Sequence, residues 1–146
     1  MKLREYYMQV RVIKGKYLAL VTSLASQVKD AMAADFDAMI FDRYPVNKVG
    51  FVAYTPYFND GDECRFTVYG VGCSDNIQLD SDTGYVYDNY SYNQNNKKWE
   101  RYEFSVMAED IVESIPLTLL ETVFGNHVFV QYNKNKEWSI TPYDHD

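Results

Sequence analysis

Residues 51–69 read Phe-Val-Ala-Tyr-Thr-Pro-Tyr-Phe-Asn-Asp-Gly-Asp-Glu-Cys-Arg-Phe-Thr-Val-Tyr. Two aromatic and β-branched runs flank the turn formers Asn59, Asp60, Gly61 and Asp62. Asp-Gly between such runs predicts a hairpin, because glycine takes a positive φ at little cost. The expected strands are Val49 to Tyr57 and Cys64 to Val71. Strand alternation sends Val49, Phe51, Ala53, Thr55 and Tyr57 one way, and Gly50, Val52, Tyr54, Pro56 and Phe58 the other. Both faces carry bulk, so the hairpin is expected to be covered on more than one side. Pro56 has no amide hydrogen to donate, which favours an edge or a bulge there.

Upstream, Leu18, Val21, Ala25, Val28, Met32, Met39 and Ile40 recur at spacings of mostly three and four. That pattern predicts a helix over 16–43, stopped by Pro45. Residues 1–15 fit two patterns. Met8, Val10 and Val12 alternate like a strand, whereas Leu3, Tyr6, Tyr7, Val10 and Ile13 suit a helix. Gly15 is a candidate interruption.

Downstream, residues 72–98 are rich in turn formers, with short strands expected near 84–87 and 98–104. A helix over 105–124 follows, with Ser105 as candidate N-cap, Pro116 as the break and Ser114 as cap of the second piece. Gly125 ends it. Val128 to Tyr132 and Glu137 to Thr141 flank a turn at 133–136 and read as a closing hairpin. This order predicts an α+β fold in a single domain, 1–146. A small antiparallel sheet built from hairpins packs against a long N-terminal helix and a Pro-split C-terminal helix. Val21, Val28, Phe51, Phe66, Leu120 and Phe129 are the expected core.

Hydrophobic residues make up 47% of the 146 and charged ones 24%, which is the balance of a folded globular chain. No apolar run approaches the roughly 20 residues of a membrane span, and no secretory apolar region opens the chain. The net charge is −7 and uneven. Lys2, Arg4, Arg11, Lys14 and Lys16 stand against Glu5 in residues 1–16, which leaves the rest strongly acidic. Nucleic-acid footprints are basic, so direct nucleic-acid binding is not expected. An acidic surface serves solubility or meets a basic patch on another protein. Cys64 and Cys73 form no metal or redox motif and are expected as reduced thiols, Cys64 as a small buried filler.

The chain has no phosphate-loop, dinucleotide, zinc-protease or nucleophile-elbow motif. No catalytic residue, metal ligand or cofactor is assigned. Asn59, Asp60, Asp62 and Glu63 bring four oxygen-bearing side chains to one turn, without the ligand spacing of an EF-hand. The closing Asp144, His145 and Asp146 read as a solvated tail. The best binding candidate is the tract Tyr85, Tyr87, Tyr90 and Tyr92, set among Ser, Asn and Gly and accompanied by Asp80, Asp82 and Asp88. Binding loops share this composition, since Tyr supplies contact area at little entropic cost. Packing of the same tyrosines on the sheet is the structural alternative.

Thr55 to Val68, the helix end Phe124-Gly125 and the closing Tyr143-Asp144-His145-Asp146 resemble small tailed-bacteriophage proteins. Those proteins carry a TPYFNDGD-C-F-V segment after an N-terminal helix. The resemblance implies a phage product in the cytoplasm of the bacterial host, and it brings no activity with it. By analogy, small acidic phage proteins often act by occupying host machinery. The expectation is therefore a non-enzymatic binding protein that occupies or inhibits a host protein with a basic patch, for instance one of an antiviral defence system. The alternatives are a binder of a small nucleotide signal and a minor virion or assembly protein. No membrane partner is expected. Self-association as a homodimer is expected from the apolar surface of the 16–43 helix with Tyr6, Tyr7 and Tyr17. Gly61→Val should lower stability by about 1 kcal/mol or more, because a β-branched residue resists positive φ. Urea unfolding of the variant checks this.

Overall fold

The computed structural model describes residues 2–57, 61, 63–74 and 90–144. A helix α1 (Leu3–Phe36) runs into one π-helical turn, Asp37–Phe41. Strands β1 (Lys48–Tyr54), β2 (Thr67–Ser74), β3 (Tyr90–Asn93) and β4 (Lys98–Arg101) follow. Helices α2 (Glu103–Glu113) and α3 (Leu117–Phe124) precede β5 (Val128–Asn133) and β6 (Trp138–Pro142). The main sheet is antiparallel in the order β2-β1-β5-β6, and β3 pairs with β4 separately. The α+β expectation holds: a small antiparallel sheet, a long N-terminal helix, and a second helical segment broken at Pro116.

Residues 1–15 resolve toward helix. From Leu3 onward they continue α1 through Gly15, which does not interrupt it. The first hairpin forms with shifted ends. Tyr54 pairs with Thr67 and Lys48 with Ser74, so the ladder stops three residues short of Tyr57. The amide of Thr55 donates to Asn126 Oδ1 at 2.9 Å instead of to a neighbouring strand, and Pro56 has no amide to offer. Gly61 has φ of +90°, as the turn reading requires. Asn59, Asp60 and Asp62 lie outside the described residues, as does the strand expected near 84–87.

Two capping expectations are corrected. Helix α2 starts at Glu103 after Tyr102, and Ser105 is fully buried inside its first turn. Ser114 ends α2, its hydroxyl donating to the Ile111 carbonyl at 2.6 Å, while Pro116 precedes α3. Gly125 closes α3 with φ of +97°. In the last hairpin, Asn133 Oδ1 accepts from the amides of Asn135 and Glu137 and rigidifies the turn.

The core lies between one sheet face and the helices. Val49, Phe51, Ala53, Val71, Cys73, Val130 and Tyr132 meet Val28, Met32, Phe36 and Ile40 of the first helical segment, with Ala108 and Val112 of α2 and Leu120 and Phe124 of α3. Of the expected core, Val28, Phe51 and Leu120 are buried, and Phe66 packs against the cluster half-buried. Phe129 is half-buried and pairs with Val52, so it sits on the opposite sheet face. That face is closed too, since Val52 and Tyr54 are buried. Cys73 is buried and its thiol faces the Phe104 carbonyl at 3.5 Å, while Cys64 is half-buried; neither is in a disulfide. Among the described residues no helix is long and apolar enough to cross a membrane.

The helix is fixed to the sheet by a ring cluster. Phe36 meets Tyr132 edge-on at 5.9 Å and Trp138 at 6.3 Å, and Phe41 meets Tyr132 at 5.8 Å. The Tyr132 hydroxyl donates to the Asp37 carboxylate at 3.1 Å. Burial, then the Asp37 charge and that hydrogen bond, push the Tyr132 phenol up from 10 to about 12. The folded state thus holds the proton more tightly than the unfolded chain. Stability from this group is complete below pH 10 and is lost as pH rises from 10 to about 12. Tyr132→Phe should cost about 1–2 kcal/mol at pH 8, from the lost hydrogen bond to a charged acceptor. It should also flatten the alkaline fall. Urea unfolding at pH 8 and pH 11 measures both, and an unchanged alkaline slope would assign the fall to other tyrosines.

Candidate functional site

Two features stand out; the first lies partly on the helix surface expected to self-associate, and the second was not an expected site. The first is the forward half of α1. At 1.5 Å per residue the helix is about 51 Å long, yet its buried residues are Val28, Met32 and Phe36 only. Ahead of them, Leu3, Tyr6, Ile13, Tyr17 and Leu20 each expose 53–70% of their surface. Val10 is half-buried and Leu24 exposes 43% of its surface. These seven residues stand at alternating spacings of three and four, which is the period of a coiled-coil seam. At 3.6 residues per turn Gly15 falls on the opposite side. A neighbouring row, Val21, Ala25, Val28, Met32 and Phe36, turns progressively into the protein's own core. One helix therefore carries two apolar rows: the rear one meets the sheet, and the forward one meets solvent.

This seam was legible in principle. The alternation of Met8, Val10 and Val12 and the presence of Gly15 obscured it, because both lower the helical signal over the same residues. Of the 16–43 stripe, Leu18 and Met39 are also exposed.

The second feature is an aromatic cluster at one end of the sheet. His127 adopts φ of +54°, a left-handed conformation rare for a non-glycine residue. Its ring stacks on Tyr57 at 5.0 Å and lies 6.3 Å from Tyr54. Tyr54 in turn stacks on Tyr69 at 4.4 Å and meets Tyr143 at 5.7 Å. Burial raises the phenol pKa of both Tyr69 and Tyr143. The His127 Nδ1 is buried with no hydrogen-bond partner among the described residues. Asn126 holds this corner: its Oδ1 accepts from the amides of Thr55 and His127, and its Nδ2 donates to Thr55 Oγ1. The Tyr143 amide donates to the His127 carbonyl, and the Tyr57 hydroxyl to Asp144. The expected solvated tail is thus tied down as far as Asp144; His145 and Asp146 lie outside the described residues. Asp144 engages a phenol rather than the imidazole, so the arrangement latches β6 to the end of β1.

The tyrosine tract falls mostly beyond view. Asp80, Asp82, Tyr85, Tyr87 and Asp88 lie outside the described residues. Tyr90 and Tyr92 enter β3, paired with Arg101 and Trp99 of β4. Among the described residues no group of histidine, cysteine, aspartate or glutamate side chains is placed to hold a metal ion. Comparison of the chain with family models, curated proteins and solved structures gives no match.

Asn126→Ala should cost about 1–2 kcal/mol, because two amides lose their acceptor at once. Amide exchange at Thr55 and His127 should accelerate while the α1–sheet core keeps its protection. Unchanged exchange at both sites would show that the latch does not depend on Asn126.

Proposed function

We propose that the chain is a phage-encoded, non-enzymatic binding protein whose working element is the forward half of α1. The observation that carries this reading is the exposed row Leu3, Tyr6, Ile13, Tyr17 and Leu20. Burying one such side chain is worth about 1.5–3 kcal/mol, so five left in water on one helix forgo a large stabilisation until another surface covers them. Single exposed apolar residues are ordinary, whereas a contiguous row marks an interaction surface. Helical recognition elements present anchors at this spacing, and tyrosine is among the side chains that dominate binding energy.

The acidic remainder of the chain supports the further expectation of a host protein with a basic patch. The Tyr85–Tyr92 tract with Asp80, Asp82 and Asp88 is then the second contact, distinct in sequence from the helix. An acidic tract steers such a partner and speeds its encounter.

Affinity capture with the full chain, followed by reconstitution with the purified captured protein, tests the reading. Ile13→Lys combined with Leu20→Lys should weaken association at least 100-fold. The thermal midpoint of the body should stay unchanged, since both side chains are exposed. Association that survives the double substitution would remove the helix from the binding surface.

A further inference from the structure

We propose that the surface covering the forward half of α1 is the same segment of a second copy, laid antiparallel. This rests on the reading of that helix as a docking element; its occupant is then a second copy, and the Tyr85–Tyr92 tract is left as the contact with a host protein. Three observations choose it.

The seam is self-complementary. Its apolar residues hold the three-four period from Leu3 to Leu24 without a polar position. A seam of this kind packs against another of its own period.

Charge chooses the direction. Residues 1–16 are basic, with five cationic side chains against Glu5, in a chain whose net charge is −7. A parallel pair would set the two acidic bodies side by side and crowd the two basic segments together. An antiparallel pair turns each basic segment toward the other copy's acidic body and opposes the helix dipoles.

The flanking residues choose the register. Leu3 packs on the partner's Leu20, Tyr6 on the partner's Tyr17, and Val10 on the partner's Ile13, so symmetry gives six filled layers. Lys14 then flanks the partner's Tyr7, and Lys16 flanks the partner's Gln9. Sliding one heptad, to put Tyr6 on the partner's Leu24, sets Lys14 on the partner's Lys14 and Lys16 on the partner's Lys16. The favoured overlay ends at Leu20, ahead of Val28, the first buried residue of α1, so the body does not obstruct it. It covers roughly 1,200 Å² in total, counting about 100 Å² per seam side chain, at the lower edge of specific interfaces.

Light scattering of the full chain should give twice 17.1 kDa, falling to 17.1 kDa on dilution. Leu20→Lys should give a monomer at all concentrations with the core's near-ultraviolet dichroism intact. Gly15→Ala lies opposite the seam with nothing near its new methyl. It raises helix propensity and should lower the dimer dissociation constant severalfold. Tyr6→Cys and Tyr17→Cys proteins, each carrying Cys64→Ser, should cross-link to one another on mixing and oxidation. Cross-links only between like variants overturn the antiparallel direction. A wild-type monomer at every concentration, a dimer indifferent to Leu20→Lys, or a dissociation constant unmoved by Gly15→Ala overturns the second copy as partner. A monomer that still loses its captured protein through Ile13→Lys with Leu20→Lys sinks the second copy alone and leaves the docking helix standing.

Discussion

The contact between Phe36, Tyr132 and Trp138, locked by the Tyr132–Asp37 hydrogen bond, is the constraint on which the rest depends. It joins the first helix to the fifth and sixth strands, some hundred residues further along the chain. The π-helical turn beside it serves the same contact. Its wider backbone, with the Asp42 amide reaching the Asp37 carbonyl at 2.9 Å, buries Ile40 and Phe41 together and turns Met39 to solvent. With the rear of α1 fixed this way, the forward half, which has no buried residue ahead of Val28, is left in solvent.

Much of the architecture could be read from residues. Asp60-Gly61 between two β-rich runs, Pro116 inside a helical pattern, Gly125 after Phe124 and Asn133 before a lysine-rich turn are local signals with local causes. The errors also have local causes. Asn126, far along the chain, captures the Thr55 amide and shortens β1. Ser105 looks like a cap in sequence, yet tertiary packing of α2 on β2 draws it inside. Phe129 alternates with Val130, and only the pairing of β5 with β1 decides which of them faces the helices.

The site was less legible than the fold. Composition drew attention to the tyrosine tract, because Tyr, Ser and Asn together are the vocabulary of binding loops. The helical seam uses ordinary core residues, so nothing in its composition separates it from a buried stripe. Only the exposure of Leu3 through Leu24 distinguishes them. His127 is harder still. Its left-handed backbone and the stack with Tyr57 come from Asn126 and the docking of Tyr143, and no pattern near residue 127 announces them.

The forward half of α1 is also a poor helix on intrinsic grounds. Gly15, three tyrosines, three valines before residue 22 and Ile13 all rank below alanine and leucine in propensity. A segment of about 20 such residues is marginal as an isolated helix in water. Here it continues a helix whose rear is packed, but the protein's own core begins only at Val28 and buries none of its residues. On the proposed reading, a partner that fills the seam stabilises the helix over Leu3–Leu24, and its helicity should rise with the concentration of that partner by mass action. For an antiparallel pair the partner is the chain itself. The same apolar residues would then set the helical content, the oligomeric state and the spacing of two acidic bodies at opposite ends of one short coiled coil.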